Sequence, residues 1–513
     1  MFADLLRKTA SSMGNRVAIS SVRQTLSYAK LYERSCRLAN ALADGGLVPG
    51  DRVASLGRNQ LHSMEEISGV AMGGLVRAPL YMQDTAERQA FMIDRVGAKA
   101  LSVDADCWPG LRDALTDHGE LPPIVLVRSP DGGSTFDIDY EDALQNASQR
   151  DPGVETSGDD LYIVRFSAGT TGMPKPIAHS ARAYFETNET VMSHTGALDA
   201  DDVYLAASPY SHGSGNLVWP FIRAGASHLV PDGGFEATQA LDLIERFRCT
   251  TLFLVPTMIQ RLLDSPALYD TDLGSVKRIL YGAAPISPEI ARRARAVFGD
   301  VLCQLYGQSE LVTIAALPPA DHAREEEHVL TSAGRICANC DVRIESDDGT
   351  ILPQGEAGEI VAKSPCVMDG IFGDPDATLE RFPNDGWLRT NDIGRLTEDG
   401  YLQIIDRKDD MIISGGFNVA PSEIEAVLHE HPDVAEAVAF GIPHPEWGAT
   451  PVAVAVLRDG SQMTAEQLHH WATEKLGRVK KPNAVKISAE PLPKSAAGKI
   501  LRREAKEHFL ANR

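Results

Sequence analysis

The sequence has few basic residues for its length. Its 513 residues include 49 Lys and Arg against 71 Asp and Glu, which gives a formal net charge of −22 and an isoelectric point near 5.1. A negative field of this size favours solubility and repels polyanions. We therefore expect no nucleic-acid partner, and an anionic substrate would need local cations that overcome the field of the whole chain.

Cysteine is also scarce. The seven cysteines are scattered and odd in number, which excludes a disulfide framework and fits a reducing compartment. Cys337 and Cys340 have the C-x-x-C spacing. No second pair at zinc-site spacing accompanies them, so a metal or redox role is disfavoured.

Long apolar runs are absent too. No segment reaches the length needed to span a bilayer. The N-terminus, Met1-Phe2-Ala3-Asp4, meets an acidic residue at once and has no signal-peptide core. These absences predict a cytoplasmic protein with no membrane partner.

What is present is an alternation of predicted helices and strands over the first 300 residues. A helix is expected over 28–42 with Ser27 as its cap, and a strand over 276–281 is followed by a helix that Ser287 caps. Such alternation predicts open α/β layers with ligands at the carboxyl ends of strands. Three candidate ligand loops follow predicted strands, at Ser167, Gly282 and Tyr306.

The pattern changes after residue 330. Segments over 330–405 shorten and become rich in Gly, Pro and Asp, which predicts a small β-barrel or sandwich. The chain then restarts, and Ser422 to Glu425 has the form of a capping box. We predict a large N-terminal domain over 1–408, made of layered α/β subdomains and a β-barrel-like part, and a smaller α+β domain over 409–513.

The stretch 166–175, FSAGTTGMPK, follows the apolar run 161–164. Its glycines free the backbone to turn and to bring N–H groups close to a ligand, and its threonines and Lys175 add hydroxyl donors and a cation. That mixture suits a phosphate chain. The spacing is not that of a Walker loop. Alone, the stretch is equally compatible with an ordinary turn after a strand.

Four further residues suit the same chemistry, although each has an ordinary alternative. Glu310 follows a predicted strand and can bind Mg²⁺, but it also fits a surface loop. His212 lies among glycines, where a hydrogen-bonded structural histidine is the commoner case. Asp392 can accept hydrogen bonds from ribose hydroxyls or end a turn, and Lys499 lies in a basic segment where a solvated lysine is usual.

Together and in this order, these segments closely resemble the acyl-adenylate-forming enzymes, which include acyl-CoA synthetases, adenylation domains and luciferases. The resemblance covers residues 25–505, nearly the whole chain. It implies an ATP-binding site, with phosphate contacts from Ser167, Gly169, Thr170, Thr171, Gly172 and Lys175 and adenine contacts from Gly282, Ala283, Ala284, Pro285 and Tyr306. It also implies that Ser309 contacts the α-phosphate, Glu310 binds Mg²⁺, and Asp392 and Arg407 contact ribose.

The resemblance implies further roles near the C-terminus. Asp409 falls at the hinge of a mobile C-terminal domain, and Gly415 and Gly416 match a loop that lines a thiol tunnel. Lys499 matches the lysine that reaches the carboxylate and the α-phosphate during adenylation, while Lys175 positions pyrophosphate. The acyl pocket is expected near His212, Asn216, Val255 and 281–283, and His212 either closes it or orders the nucleophile.

The implied activity is an ATP- and Mg²⁺-dependent ligation of a carboxylic acid to coenzyme A through an acyl-adenylate. The same adenylate can instead pass to an amine, as in an amide synthetase, or to a carrier-protein thiol. A non-catalytic nucleotide or acyl sensor is a further alternative, which the retained Glu310, Asp392 and Lys499 disfavour. The sequence leaves open the acid, whether aryl, alicyclic or fatty, and the oligomeric state.

Four positions depart from the family pattern: Ala168, Pro176, Ala181 and Asn391. Ala168 lacks a hydroxyl donor, and Pro176 removes an N–H and stiffens the loop exit. Ala181 replaces a frequent histidine and Asn391 a glycine. None of these changes removes Glu310, Asp392 or Lys499, so ATP use is expected to persist.

Overall fold

The computed structural model describes residues 1–119, 121–129, 138–167, 173–383, 386–414, 417–494 and 500–511. It divides into two compact units. The first comprises Met1–Asp341 and Lys363–Gly386, and the second Val342–Ala362 and Trp387–Arg513. The domain boundary predicted between residues 408 and 409 lies within the second unit and stays a prediction.

The strands of the described residues are β1 (Val17–Ser20), β2 (Thr25–Ser27), β3 (Arg52–Leu56), β4 (Val76–Pro79), β5 (Ala100–Asp104), β6 (Ile124–Arg128), β7 (Leu161–Ser167), β8 (Lys175–Ser180), β9 (Val203–Leu205), β10 (Ser227–Leu229), β11 (Thr251–Leu254), β12 (Arg278–Gly282), β13 (Leu302–Tyr306), β14 (Ala315–Leu317), β15 (Arg335–Ile336), β16 (Asp341–Glu345), β17 (Gly358–Lys363), β18 (Gly370–Ile371), β19 (Leu388–Leu396), β20 (Leu402–Arg407), β21 (Ile412–Ser414), β22 (Phe417–Val419), β23 (Val434–His444), β24 (Gly448–Leu457) and β25 (Ala484–Ser488).

The α-helices of the same residues are α1 (Phe2–Met13), α2 (Tyr28–Asp44), α3 (Leu61–Met72), α4 (Ala86–Val96), α5 (Trp108–His118), α6 (Tyr140–Asn146), α7 (Ala181–Ser193), α8 (Val218–Ala224), α9 (Ala237–Phe247), α10 (Pro256–Asp264), α11 (Pro288–Phe298), α12 (Pro319–His322), α13 (Glu327–Leu330), α14 (Pro375–Arg381), α15 (Pro421–His429), α16 (Ala465–Lys480) and α17 (Arg502–Ala511).

The first unit contains two mixed sheets with long parallel sections. The nine-stranded sheet has the order β15-β14-β13-β12-β11-β9-β10-β1-β2, and the seven-stranded sheet has the order β18-β8-β7-β4-β3-β5-β6. Strands β11, β12 and β13 run parallel to one another, as do β3, β4, β5 and β6. The predicted α/β layers are therefore confirmed, with helices connecting successive parallel strands.

Local capping positions the helices of this unit where the sequence predicts them. The hydroxyl of Ser27 accepts from the N–H of Lys30 at the start of α2, and that of Ser287 accepts from Ile290 at the start of α11. Both helices then bury one apolar face. Trp108 of α5 and Phe166 of β7 belong to the core of the seven-stranded sheet, which holds the end of β7 rigidly.

The second unit contains a sheet in the order β16-β17-β19-β20 and a sheet β22-β21-β24-β23 with β25 beside β24. The predicted β-rich stretch is thus a four-stranded sheet, and among the described residues it forms no closed barrel. Strands β15 and β18 come from the same stretch but pair with the two sheets of the first unit. Hydrogen bonding to β14 and β8 therefore places these two strands in the first unit.

The capping box predicted at Ser422 is wrong. Helix α15 begins at Pro421 with Ala420 as its N-cap, so Ser422 already lies in the first turn. The hydroxyl of Ser422 instead donates to the carbonyl of Ile405 at 2.5 Å. Glu425, which would have closed the box, is half-buried and pairs with Arg502 at 2.9 Å. Both side chains therefore bond to residues distant in sequence instead of capping α15.

Within the ranges that the structure describes, no helix combines the length and the apolar content that a membrane-spanning segment requires.

Buried histidines make the first unit sensitive to acid. His228 is fully buried, its Nδ1 lies 2.9 Å from the hydroxyl of Tyr210, and its Nε2 has no partner among the described residues. Burial lowers the pKa of His228 to about 3 and that of His179 to about 3. An unfolded histidine titrates near 6.5, so the unfolded chain takes up protons first as the pH falls. The stability is present above that value and is lost as the pH falls toward 3.

We predict that His228→Gln weakens the acid sensitivity. Between pH 7.5 and 5.0 the wild type should lose about 2 kcal/mol more of its free energy of unfolding than the variant, because only the wild type carries this suppressed proton site. Urea unfolding followed by tryptophan fluorescence at the two pH values measures the difference. Equal losses in both proteins would contradict the assignment to His228.

Candidate active site

The predicted adenine segment lies at the carboxyl ends of three neighbouring parallel strands. Leu254 of β11 pairs with Tyr281 of β12, and Gly282 pairs with Leu305 of β13. A Cβ at Gly282 would overlap the carbonyl oxygen of Leu305, so the strands approach as only glycine allows. Ala283 follows with a φ of +67°, which turns the chain sharply.

The other residues predicted near adenine and the acyl chain follow from this pairing. Val255 comes directly after β11, Ala284 and Pro285 continue the turn toward α11, and Tyr306 ends β13. Adjacent strand ends therefore bring the segments at 255, 282–285 and 306 to one edge of the nine-stranded sheet. This is the edge where open α/β sheets bind ligands.

The β7–β8 hairpin brings the two ends of the predicted phosphate loop together. Ser167, the last residue of β7, lies directly opposite Lys175, the first residue of β8. Ala168, Gly169, Thr170, Thr171 and Gly172 lie outside the described residues. Pro176 is accommodated in β8 because its carbonyl still accepts from the N–H of Phe372 at 2.8 Å.

His212 is held by an aromatic partner and a hydroxyl. Its ring centroid lies 4.2 Å from that of Tyr81, and its Nδ1 lies 2.9 Å from the hydroxyl of Ser211. The hydroxyl of Tyr81 donates to the carbonyl of Phe166, which ties this pair to the end of β7. Burial, helped by the nearby positive charge of Arg165, lowers the pKa of His212 to about 4. The imidazole is therefore neutral near pH 7.

Glu310 follows β13 and contacts a cation. Its Oε1 lies 3.2 Å from an Nη2 of Arg381 in α14, and the same guanidinium donates to Gln308. The backbone carbonyl of Glu310 accepts from Met368 at 2.7 Å. Because its carboxylate is only 13% exposed, Glu310 is a confined negative charge beside the ends of β12 and β13.

A single confined carboxylate fits Mg²⁺ in one particular way. Mg²⁺ in nucleotide sites takes one or two carboxylates and completes its shell with phosphate oxygens and water. No group of three or more His, Cys, Asp or Glu residues able to hold a metal exists among the residues described. Glu310 therefore suits a magnesium ion shared with substrate phosphates rather than one held by protein ligands alone.

A hydrogen bond connects the two sheets of the first unit next to these residues. Nε2 of His179 in β8 lies 2.8 Å from the carbonyl oxygen of Ser309, which follows β13. A carbonyl only accepts, so His179 donates through Nε2. The bond fixes the backbone of Ser309 and Glu310 against the strand that begins at Lys175.

Sequence reasoning missed Arg165, which lies beside these groups. It is 6% exposed in β7, and its guanidinium stands 5.4 Å from the centroid of the Tyr184 ring. The one signal in the sequence is a charge inside the otherwise apolar strand 161–166. That signal does not distinguish a buried arginine from one at the edge of a sheet.

The second unit holds the predicted ribose residues. Asp392 of β19 and Arg407 of β20 lie directly opposite each other, with Arg407 Nε 2.8 Å from Asp392 Oδ1. Asn391, which stands in place of the family's glycine, has a φ of +61°. Its amide donates at 2.6 Å to Asp409, the predicted hinge residue. Asparagine tolerates this left-handed backbone better than most residues, which explains the substitution.

Lys499, Gly415 and Gly416 lie outside the described residues. Their flanking residues are well anchored. Lys494 and Ile500 form an antiparallel bridge, and β21 pairs with β22 across 415 and 416. The roles assigned to these three residues stay predictions.

Cys337 and Cys340 are buried free thiols. Burial raises the pKa of each to about 12. Both are therefore protonated near pH 7, and a protonated thiol is neither a nucleophile nor a metal ligand.

The family model described as AMP-binding enzyme matches residues 6–372, and the model described as AMP-binding enzyme C-terminal domain matches residues 423–499.

Relatives and solved structures match nearly the whole chain. It is 32% identical over 494 residues to fatty acid–[acyl-carrier-protein] ligase ScoC of Streptomyces coeruleorubidus, covering 95% of this chain and 92% of that protein. It is 32% identical over 496 residues to feruloyl-CoA synthase of Amycolatopsis sp., covering 94% of each. The structure of amide bond synthetase McbA from Marinactinospora thermotolerans matches with a TM-score of 0.88 and 31% identity, covering 99% of this chain and 100% of that one.

The backbone at Asn391 yields a prediction. Asn391→Ala should lower the free energy of unfolding by about 1 kcal/mol, because alanine is strained at this φ and loses the bond to Asp409. Asn391→Gly loses the same bond without the strain and should cost less. Urea unfolding of the two variants beside the wild type measures both. Equal losses would show that the backbone angle does not govern this position.

Proposed function

Because the chain belongs to the AMP-binding enzyme family of adenylate-forming ligases, we propose that it is an ATP- and Mg²⁺-dependent carboxylic acid–CoA ligase. The observation that carries the proposal is the meeting of His179 with Ser309 beside Glu310. That contact joins the strand that begins at Lys175 to the strand ends expected to bind adenine. A phosphate loop, a magnesium carboxylate and an adenine edge within one unit are the parts that adenylation requires.

The first half-reaction activates the acid. A free carboxylate is a poor electrophile because its leaving group would be an oxide. A carboxylate oxygen attacks the α-phosphorus of ATP, a new P–O bond forms, and the bond to the β-phosphate breaks to release pyrophosphate. The product is a mixed anhydride, whose leaving group is AMP.

The protein's residues lower the repulsion between these two anions. Lys175 and the loop 167–172 hold the β- and γ-phosphates, and Lys499 bridges the carboxylate and the α-phosphate. Glu310 would hold Mg²⁺, which supplies positive charge to the phosphate oxygens. Asp392, oriented by Arg407, accepts from the ribose hydroxyls. Removing one such preorganised group costs on the order of 3 kcal/mol in the transition state.

The second half-reaction transfers the acyl group to a nucleophile. The thiol of coenzyme A loses its proton to water, its thiolate attacks the carbonyl carbon of the adenylate, the C–O bond to AMP breaks, and a thioester and AMP form. Residues 409–513 would act as the mobile domain, with its hinge at Asp409 and the thiol path beside Gly415 and Gly416. Feruloyl-CoA synthase, a relative named for this acceptor, supports coenzyme A.

An amine acceptor is the second candidate, since a structure that matches nearly the whole chain is named an amide bond synthetase. The neutral imidazole of His212 can hydrogen-bond with either a thiol or an amine, so the site chemistry is compatible with both. Only the acceptor differs, and adenylation is common to the two reactions.

The test measures pyrophosphate release with ATP, Mg²⁺ and each of benzoate, ferulate, cyclohexanecarboxylate and octanoate. Acid-dependent release is expected with at least one acid. Adding either coenzyme A or an amine and weighing the product then identifies the acceptor. An acyl-CoA mass supports the proposal, an amide supports the second candidate, and a lack of release with every acid would contradict an adenylating enzyme and favour a sensor.

Lys499 gives the sharpest prediction. Lys499→Ala should slow acid-dependent ATP–pyrophosphate exchange by about a hundredfold or more, because the incoming carboxylate loses its cation. Lys494→Ala is the matched control. Lys494 is a lysine of the same basic segment, but its side chain pairs with Glu436. Its exchange rate should stay near that of the wild type. Unchanged exchange in Lys499→Ala would refute the role.

A further inference from the structure

Arg165 is a buried cation that forms no ion pair with any residue that the structure describes. No carboxylate of the described residues lies within 4 Å of its guanidinium, and its Nε has no hydrogen-bond partner there. The nearest acceptor is Oδ1 of Asn216, at 3.5 Å from Nη1. A guanidinium has five N–H donors and stays charged, so most of its donors here are unused.

The contact with His179 does not satisfy it. Nη2 of Arg165 lies 3.4 Å from Nε2 of His179, but that nitrogen already donates its proton to Ser309. A nitrogen that carries a proton cannot accept another. Arg165 therefore faces the N–H of a neutral histidine.

A second buried arginine increases the positive potential. Arg77 on the neighbouring strand β4 is also 6% exposed, its Nη1 has no partner among the described residues, and its charge repels that of Arg165. A buried charge is costly unless it is paired. The site therefore holds buried positive charge that no described carboxylate pairs with and that an anionic ligand would neutralise.

The surroundings of Arg165 indicate which anion. Its guanidinium contacts Asn216, where the acyl pocket is expected. Its charge also interacts with Tyr81, the ring partner of His212, and with Glu310. The guanidinium is therefore close to residues assigned to the acid and to the carboxylate assigned to Mg²⁺.

We propose that Arg165 binds the carboxylate of the acid substrate and holds it, with the help of Asn216, for attack on ATP. This rests on the proposed function. The phosphates have Lys175 and Mg²⁺ as positive charges, and Lys499 is assigned to both the acid and the α-phosphate. Within the expected acyl pocket itself His212 is neutral, so Arg165 would supply the charge that this pocket lacks. Arg165 contacts Asn216, and Asn216 belongs to the expected acyl pocket. Its ligand in this proposal is therefore the acid rather than ATP.

The experiment compares the KM for acid with the KM for ATP in the pyrophosphate assay, using the most active acid of the four-member panel. Arg165→Met should raise the KM for acid by about 10- to 100-fold and leave the KM for ATP within about threefold, because a hydrogen-bonded charge is lost on one substrate only. Arg165→Lys keeps the positive charge but lacks the two parallel N–H donors of a guanidinium. Its KM for acid should therefore lie between those of the wild type and Arg165→Met.

Asn216→Asp is a second variant, which replaces a buried side chain with one of nearly equal size and so leaves no cavity. It places a carboxylate beside Arg165, which should occupy the guanidinium and raise the KM for acid. Arg278→Met is the matched control: Arg278 is equally buried, pairs with Asp202 and begins β12, at the opposite end of that strand from the expected ATP site, so the ratio of the two KM values should stay unchanged. Thermal melting verifies that each variant is folded.

The outcomes separate the hypotheses. A rise in the KM for acid alone supports the proposal. A rise in the KM for ATP alone would assign Arg165 to the phosphates, and equal changes in all folded variants would make it structural, so both would overturn the proposal. A wild type that releases no pyrophosphate with any panel acid would instead refute the proposed function on which it rests.

Discussion

The hydrogen bond from His179 to Ser309 is the contact on which the candidate site of the first unit depends. It connects β8 of the seven-stranded sheet to the segment after β13 of the nine-stranded sheet. The donor is a neutral histidine, because deep burial holds the pKa of His179 low. Asn59 adds a second link, since its amide donates to the carbonyls of Ala206 and Ser208. Together with the contacts of Glu310 to Met368 and Arg381, these links position Glu310.

The distribution of charge follows from the reaction proposed. A protein with a net charge of −22 does not attract a triphosphate or a carboxylate through its overall field. At the candidate site, positive charge instead lies where water is excluded and each cation acts more strongly. Arg165 and Arg77 are buried in adjacent strands, and Arg381 lies against Glu310. An acidic chain is therefore compatible with cations at the candidate site.

Much of the fold could be predicted because its signals are local. The caps of α2 and α11 lie within three residues of the groups they bind, and the turn at Gly282 is dictated by one missing side chain. The errors arose where distant segments decide. Ser422 was assigned to a capping box but bonds to Ile405, and β15 and β18 join sheets far from them in sequence. Arg165 was missed for the same reason, since the sequence shows its charge but not the absence of a partner.

The two half-reactions differ in how strongly they constrain the chain. Adenylation brings together two anions, so it demands particular residue types: glycines at a phosphate loop, a carboxylate for Mg²⁺ and cations near the carboxylate. The acceptor, a thiolate or a neutral amine, needs only a path to the carbonyl carbon and a group or water that takes its proton. Many side chains can form such a path. Proteins named for a carrier-protein thiol, coenzyme A and an amine can therefore share about a third of this sequence, and the acceptor has to be read from its product rather than from the residues that bind ATP.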